Sequence, residues 1–139
     1  MLQWDEFPRV NLTFMDQDHQ ECLEILGKIE ELGANSDVSS EQLQTDLDQK
    51  LDALYQHLQE HFAREEQAME DTGFPPYYVH RTEHQSVLQQ LQGEIKEWQK
   101  QRDLESLNRY ILRSLVNWLE THALTMDAVT AQHINQKLS

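Results

Sequence analysis

The chain has 139 residues, of which 38% are apolar and 26% charged, and its formal net charge is −14. This composition suits one soluble globular domain, and so acidic a chain is repelled by nucleic acid and by anionic membrane surfaces, which excludes both as partners. Its one cysteine, Cys22, excludes an internal disulfide, and it is either a core residue or a redox-relevant thiol. With no signal peptide and no run of about 18 apolar residues, we expect a cytoplasmic protein without membrane insertion.

Four glycines and three prolines in the whole chain favour long helices over many short strands. Residues 1–15 lack helical periodicity, and their apolar side chains predict an extended N-terminal arm packed against the domain. Asp16 or Asp18 can cap a first helix that runs to about Leu32. The turn at 33–36 then ends this helix, with a glycine at its C-terminal end.

Capping signals also delimit the next two helices. Ser39 and Gln42 form the pattern of a capping box, which predicts a second helix that ends near Glu70. A Pro-Pro pair follows in the loop, and the third helix is predicted from about Tyr77 to Lys100.

The fourth helix is predicted from about Leu104 to Lys137, with Asp103 as its N-cap. Apolar residues recur at helical spacing in all four segments, and the loops between them are short. Short loops make consecutive helices antiparallel, so the sequence predicts an all-α, up-down-up-down four-helix bundle. The bundle would occupy residues 16–137 of a single domain that covers 1–139.

Five histidines, one glutamate and one aspartate form a spaced series on all four helices. They are His19, His61, Glu65, His80, His84, His122 and Asp127. Two residues spaced i, i+4 on a helix differ by about 40° in direction and about 6 Å in height, so both can reach one metal ion. A single helical histidine is usually a surface or core residue, but seven such residues in register predict a metal site inside the bundle.

The spacing of His122 and Asp127 is less regular, because residues at i, i+5 diverge by about 140° on an ideal helix. A wide turn of the π type would bring the two side chains together, and such bulges often mark functional sites. We therefore predict a local irregularity between Leu124 and Asp127.

Five imidazoles and two carboxylates are too many ligands for one ion. If both carboxylates bridge two ions, one ion has three histidines and the other two, which leaves an open coordination position for a small molecule. This ligand set suits iron, with manganese as the alternative, whereas zinc more often takes tetrahedral sites. Five apolar residues are predicted to flank the open position and exclude water, unless they are plain core residues: Leu23, Phe62, Leu115, Trp118 and Leu119.

Two histidines lie outside the series. His133 is predicted at the surface. His57 stands one turn before His61 and is either exposed to solvent, a hydrogen-bond partner of the site or an additional ligand.

The chain resembles the hemerythrins, in particular the single-domain bacteriohemerythrins. The matching motifs cover essentially the whole chain: DQDH at 16–19, HFAREE at 61–66, the stretch 69–75, HxxxH at 80–84, and WLETH followed by Asp127 at 118–127. The sequence departs from the pattern at Asp18, where glutamine is common, and at His57, where tyrosine is common. Neither departure removes a ligand.

The resemblance implies a centre of two iron ions (Fe²⁺/Fe³⁺) with a bridging oxo or hydroxo group. His80, His84 and His122 would bind one iron, and His19 and His61 the other, at which dioxygen would bind. Glu65 and Asp127 would bridge the two.

We therefore expect a non-haem di-iron protein that binds dioxygen reversibly, for oxygen transport, storage or delivery, and that is not an enzyme. Two alternatives stay open: an oxygen or redox sensor that acts through an unidentified protein partner, and a di-iron enzyme that acts on peroxide or nitric oxide.

Overall fold

The structure is a computed structural model that describes residues 2–34 and 37–138. Asn35 and Ser36, which belong to the predicted turn after the first helix, lie outside the described residues. The described part of the chain is helical and contains no strand. No helix within it is both long enough and apolar enough to cross a membrane.

Four helices follow a short N-terminal arm. The arm contains a 3₁₀ turn at Trp4–Glu6. The helices are α1 (Thr13–Gly33), α2 (Glu41–Thr72), α3 (Tyr77–Gln101) and α4 (104–138). Helix α4 consists of α-helical segments Leu104–Arg109, Val116–His122 and Ala128–Leu138, separated by π-helical segments Tyr110–Leu115 and Ala123–Asp127. The predicted all-α four-helix bundle is confirmed.

Helix α1 begins at Thr13, before the predicted start, and Leu12 at its N-cap provides no side-chain hydrogen bond. The prediction that Asp16 or Asp18 caps the helix is wrong, because both lie inside it. The Asp16 carboxylate instead accepts hydrogen bonds from the backbone N–H groups of Val10 and Asn11, at 2.9 and 3.1 Å. It therefore fixes the end of the arm and not the first turn of the helix, and the arm is three residues shorter than predicted.

The N-cap of α2 is one residue later than predicted. The Ser40 hydroxyl accepts from the backbone N–H of Leu43 at 3.2 Å, whereas the Ser39 hydroxyl donates to Asp37. The helix ends at Gly73, which adopts the left-handed conformation (φ 65°) that favours glycine.

The predicted limits of α3 and α4 agree with the structure to within about one residue. Pro76 is the N-cap of α3, and the Asp103 carboxylate caps α4 by accepting from the backbone N–H of Ser106. Near the start of α4, the Asp48 carboxylate on α2 accepts a hydrogen bond from the Trp98 indole. Both of its oxygens also accept from the Arg102 guanidinium. This contact ties α2 to the end of α3.

The hydrophobic core runs along the inside of the bundle and includes residues from all four helices. The arm packs against the bundle as predicted, since Phe7 belongs to this core and Val10 is buried in a smaller cluster with Met15 and Ala131. The core therefore surrounds the polar residues of the series with apolar side chains.

Candidate metal centre

All seven residues of the predicted series are buried, and none is more than 5% exposed. Helix α1 supplies His19, α2 supplies His61 and Glu65, α3 supplies His80 and His84, and α4 supplies His122 and Asp127. Burial of so many polar groups in a bundle is costly unless they share a common partner.

The side chains meet in two groups that share both carboxylates. The two-histidine group consists of His19 and His61 with Glu65 and Asp127, and the three-histidine group consists of His80, His84 and His122 with the same carboxylates. Within each group, one nitrogen or oxygen atom from every residue lies within 4.8 Å of all the others. The structure thus brings together every residue of the series.

Each carboxylate faces both groups, one oxygen to each. Asp127 Oδ2 lies 3.0 Å from His19 Nε2, while its Oδ1 lies 3.0 Å from His80 Nε2. Glu65 Oε2 lies 2.8 Å from His61 Nε2, while its Oε1 lies 3.1 Å from His84 Nε2. This is the arrangement of two bridging carboxylates.

The imidazoles of the three-histidine group direct their Nε2 atoms toward one common point. His122 Nε2 lies 3.0 Å from His80 Nε2 and 3.2 Å from His84 Nε2. Metal–nitrogen bonds of about 2.1 Å at right angles place neighbouring nitrogens about 3.0 Å apart. His122 Nε2 is therefore spaced from each of the other two nitrogens as neighbouring ligands of an octahedral ion are spaced.

Unsatisfied acceptors indicate that these residues fit a cation. Both oxygens of Glu65 and Oδ1 of Asp127 are buried without a hydrogen-bond partner among the described residues, despite the imidazole nitrogens close by. Buried carboxylate oxygens normally have such partners, so unsatisfied ones need a physical explanation. A cation shared by the two carboxylates and the imidazoles would explain them, because the lone pairs of these oxygens would then point at the cation.

Outward hydrogen bonds fix four of the five imidazoles. His61 Nδ1 donates to Asp18, His84 Nδ1 to Glu66 and His122 Nδ1 to Glu83, at 2.9 to 3.1 Å. His80 Nδ1 donates to the Thr130 hydroxyl, which itself donates to the carbonyl of Met126. Acceptors on the outside keep the proton on Nδ1 and leave the Nε2 lone pair for a metal.

Sequence reasoning missed most of these outer partners. Glu66 and Glu83 each stand directly beside a ligand in the sequence, which is a usable signal. Thr130 has no such signal, because its role depends on how the helices are rotated. Asp18 was noted as a possible helix cap and as a departure from the family pattern.

The π-helical segment at Ala123–Asp127 confirms the predicted irregularity. The extra residue per turn reduces the divergence between His122 and Asp127, so that His122 Nε2 and Asp127 Oδ1 lie 3.2 Å apart. The second π-helical segment, Tyr110–Leu115, was not predicted, and no spacing in the sequence signals it.

The electrostatics of the metal-free site favour cations. Burial alone lowers the pKa of His61, but Glu65 and Asp18 outweigh it and raise that pKa to about 10. Burial is likewise outweighed at His80, where Asp127 and Glu65 raise the pKa to about 9. Burial also opposes ionisation of Glu65, yet the imidazoles hold its pKa well below its usual range. The buried carboxylates therefore stabilise positive charge at this place, which metal ions would supply.

Aromatic residues pack directly on the imidazoles. Phe62 stacks on His84 at 3.9 Å between ring centroids, and Trp118 stacks on His122 at 4.5 Å. Both rings therefore contact the three-histidine group. Phe7, which sequence reasoning missed, lies 5.2 Å from the His19 ring on the side of the two-histidine group.

Leu23, Leu115 and Leu119 are buried in the core, and Trp118 is half-buried. That these residues and Phe62 flank an open metal position stays a prediction. Burial raises the pKa of Cys22 to about 12, in agreement with a plain core residue.

The two remaining histidines are also placed. His57 Nε2 donates to the backbone carbonyl of Asp18, and its ring is parallel to that of His61 at 6.2 Å, so it lies next to the site and outside both groups. The prediction that His133 is a surface residue is wrong. It is half-buried, because its ring packs on Phe74 and donates to the carbonyl of Thr72.

Known proteins show the same pattern over the same length. The profile of the hemerythrin HHE cation binding domain matches residues 10–134. The bacteriohemerythrin of Aquifex aeolicus is 27% identical over 134 residues, which is 96% of this chain and 98% of the relative. That of Ralstonia nicotianae is 28% identical, over 99% of this chain and 91% of the relative.

A third relative, the bacteriohemerythrin of Methylococcus capsulatus, is 24% identical over 84% of this chain and 83% of its own length. No solved structure matches the chain significantly. The match to the domain profile covers nearly the whole bundle and includes every residue of the two groups. The chain therefore belongs to the hemerythrin family of di-iron, oxygen-binding proteins.

Proposed function

We propose that this chain, acting as a single domain, holds two iron ions and binds dioxygen reversibly, as an oxygen carrier or store and not as an enzyme. The main support for the proposal is the pair of buried carboxylates. Each of them directs one oxygen to the two-histidine group and its other oxygen to the three-histidine group. Family membership also supports it, as does the preference of the buried carboxylates for positive charge nearby.

The seven buried side chains would hold the ions. His80, His84 and His122 would bind one of them, His19 and His61 the other, and Glu65 and Asp127 would bridge both. When bound, two iron ions supply the redox chemistry for dioxygen, since they can give up two electrons and take them back. Imidazoles and carboxylates are ligands that suit iron.

The unequal donor sets favour binding at one position. The two-histidine group offers one imidazole nitrogen fewer than the three-histidine group. A metal ion in the two-histidine group therefore has more room for a small molecule among its ligands. Phe7 lies against this group and is 4% exposed, so a ligand there would be shielded from water.

Shielding favours reversible binding over turnover. In the two-histidine group, the Phe7 ring lies 5.2 Å from the His19 ring, and the Phe62 ring lies 5.5 Å from the His61 ring. Apolar surroundings limit access by water and protons, which would otherwise promote loss of reduced oxygen species. They also suit a small neutral ligand better than a charged substrate.

Optical spectroscopy of the iron-loaded, reduced protein tests this function. We expect an absorption band that appears when oxygen is added, disappears when oxygen is removed, and returns over repeated cycles. The number of iron ions per chain is measured on the same sample.

Three results would contradict a carrier. Irreversible oxidation at the first exposure to oxygen would favour a redox sensor. Catalytic consumption of peroxide or of nitric oxide would favour an enzyme. Absence of any oxygen-dependent band from a sample with two iron ions would exclude oxygen binding at the centre.

A further inference from the structure

Asp18 connects one histidine of the centre to a cation near the surface. Its Oδ2 accepts a hydrogen bond from His61 Nδ1 at 2.9 Å. The Arg64 guanidinium holds the same carboxylate at both oxygens, with Nε 2.9 Å from Oδ2 and Nη2 2.7 Å from Oδ1. The three residues form a continuous chain from the two-histidine group to the outside of α2.

The carboxylate of this chain is more buried than the two other carboxylates that accept from imidazoles of the centre. The side chain of Asp18 is 8% exposed, whereas those of Glu66 and Glu83, which serve the three-histidine group, are 23% and 41% exposed. The contact between Arg81 and the Glu66 carboxylate is 3.7 Å, which is longer than the contacts between Arg64 and Asp18. Asp18 is therefore the best-fixed of the three outer carboxylates.

A fixed carboxylate behind an imidazole has two physical effects. It orients the ring and keeps the proton on Nδ1, and it makes Nε2 a stronger metal ligand. A bidentate arginine holds the carboxylate in one orientation, so that the histidine does not have to order it. His19, in contrast, has a buried Nδ1 without a partner among the described residues. The two-histidine group thus depends on one anchored ligand.

We propose that Asp18, clamped by Arg64, is a positioning residue that sets the metal affinity of the two-histidine group without setting that of the three-histidine group. This inference rests on the metal centre proposed above. A glutamine, which the family pattern has at this position, is uncharged and cannot reproduce a carboxylate that serves histidine and arginine together.

The experiment is a titration of the metal-free protein with Co²⁺, whose visible absorption reports each bound ion. The wild-type chain is expected to bind two ions. In Asp18→Asn, one of the two affinities should fall by about 10- to 100-fold, the usual effect of losing an outer partner, while the other stays unchanged. Arg64→Gln, which changes a side chain that is 45% exposed, should produce a smaller loss at the same ion.

Asp48→Asn is the matched control. Like Asp18 on α1, Asp48 on α2 is a carboxylate that an arginine clamps at both oxygens, but it lies 13 residues before His61, about 20 Å along the helix. It should bind both ions with wild-type affinity, even if the two Asp→Asn variants lose similar stability. Nitrogen NMR signals of the His61 ring in the metal-free protein should shift in Asp18→Asn and not in the control.

The outcomes separate this inference from the function it rests on. If the wild-type chain binds fewer than two ions, the metal centre itself is wrong. If it binds two, and Asp18→Asn binds both as tightly, Asp18 does not position His61. If Asp18→Asn weakens both ions equally, or the Asp48 control loses as much, the role of Asp18 is structural only and the inference fails.

Discussion

At the scale of single residues, the two carboxylates carry the site because each belongs to both groups. In the proposed centre, removal of a histidine would take one ligand from one ion, whereas removal of Glu65 would take an oxygen from each. The structure places each histidine in one group and each carboxylate in both.

We expect Glu65→Gln to weaken both metal ions, and His61→Gln to weaken only the ion of the two-histidine group. Anaerobic titration with Fe²⁺, followed by metal analysis, measures both effects. Selective loss of one ion in Glu65→Gln would show that this carboxylate does not bridge.

Cys22 is expected to be chemically inert in the folded protein. Burial raises its pKa to about 12, so almost no thiolate exists at neutral pH, whereas an unfolded cysteine ionises near about 8.5. Iodoacetamide at pH 8 should therefore label the thiol in urea but not in the native protein. The native protein should be labelled far more slowly than an exposed thiol, because unfolding must first release Cys22. Rapid native labelling would contradict the burial.

At the scale of elements, the π-helical segment Ala123–Asp127 of α4 is the irregularity that lies at the candidate metal centre. Thr130, one turn beyond it, accepts from His80 and donates to the Met126 carbonyl. Its hydroxyl therefore links the irregular segment to the three-histidine group.

Thr130→Val should lower the free energy of unfolding of the metal-free protein by about 1–3 kcal/mol, because His80 loses its acceptor in a buried place. Urea denaturation measures the change. Thr125→Val provides the control, since Thr125 is exposed and donates only to the carbonyl of Thr121 within its own helix. An equal loss in both variants would mean that the link to His80 adds no stability.

The sequence predicts elements better where their signals are local. Asp103 acts at a helix end through its own side chain, and it was predicted correctly. Asp16 was misassigned because a carboxylate near a helix start can serve the preceding loop as well as the helix. Capping patterns alone do not distinguish these two uses.

The convergence of the seven residues could be predicted because periodic spacing on a helix fixes which residues share a face. Their outer partners could not, since a contact such as Asp18 with Arg64 depends on the rotation of α1 against α2. Phe7 was missed for a similar reason, because the course of the arm over the bundle is set by packing and not by periodicity.

At the scale of the whole molecule, the candidate metal centre connects all four helices. Metal ions that bind the folded chain and not the unfolded one stabilise the fold by mass action, by about 2.7 kcal/mol per site when free metal is 100 times the dissociation constant. We therefore expect metal loading to raise the thermal unfolding midpoint in proportion to the logarithm of free metal.

Calorimetry with and without Fe²⁺ under anaerobic conditions measures this shift, with Glu65→Gln as a control that should shift much less. An unfolding midpoint that does not depend on metal concentration would mean that the ions do not hold the helices together.

The most direct measurement is an anomalous difference map at the iron edge from crystals of the iron-loaded protein. We predict two peaks inside the bundle, one among His80, His84 and His122 and the other beside His19 and His61, with Glu65 and Asp127 between them. No peak in the bundle, or a single peak at the surface, would contradict a di-iron centre in this protein.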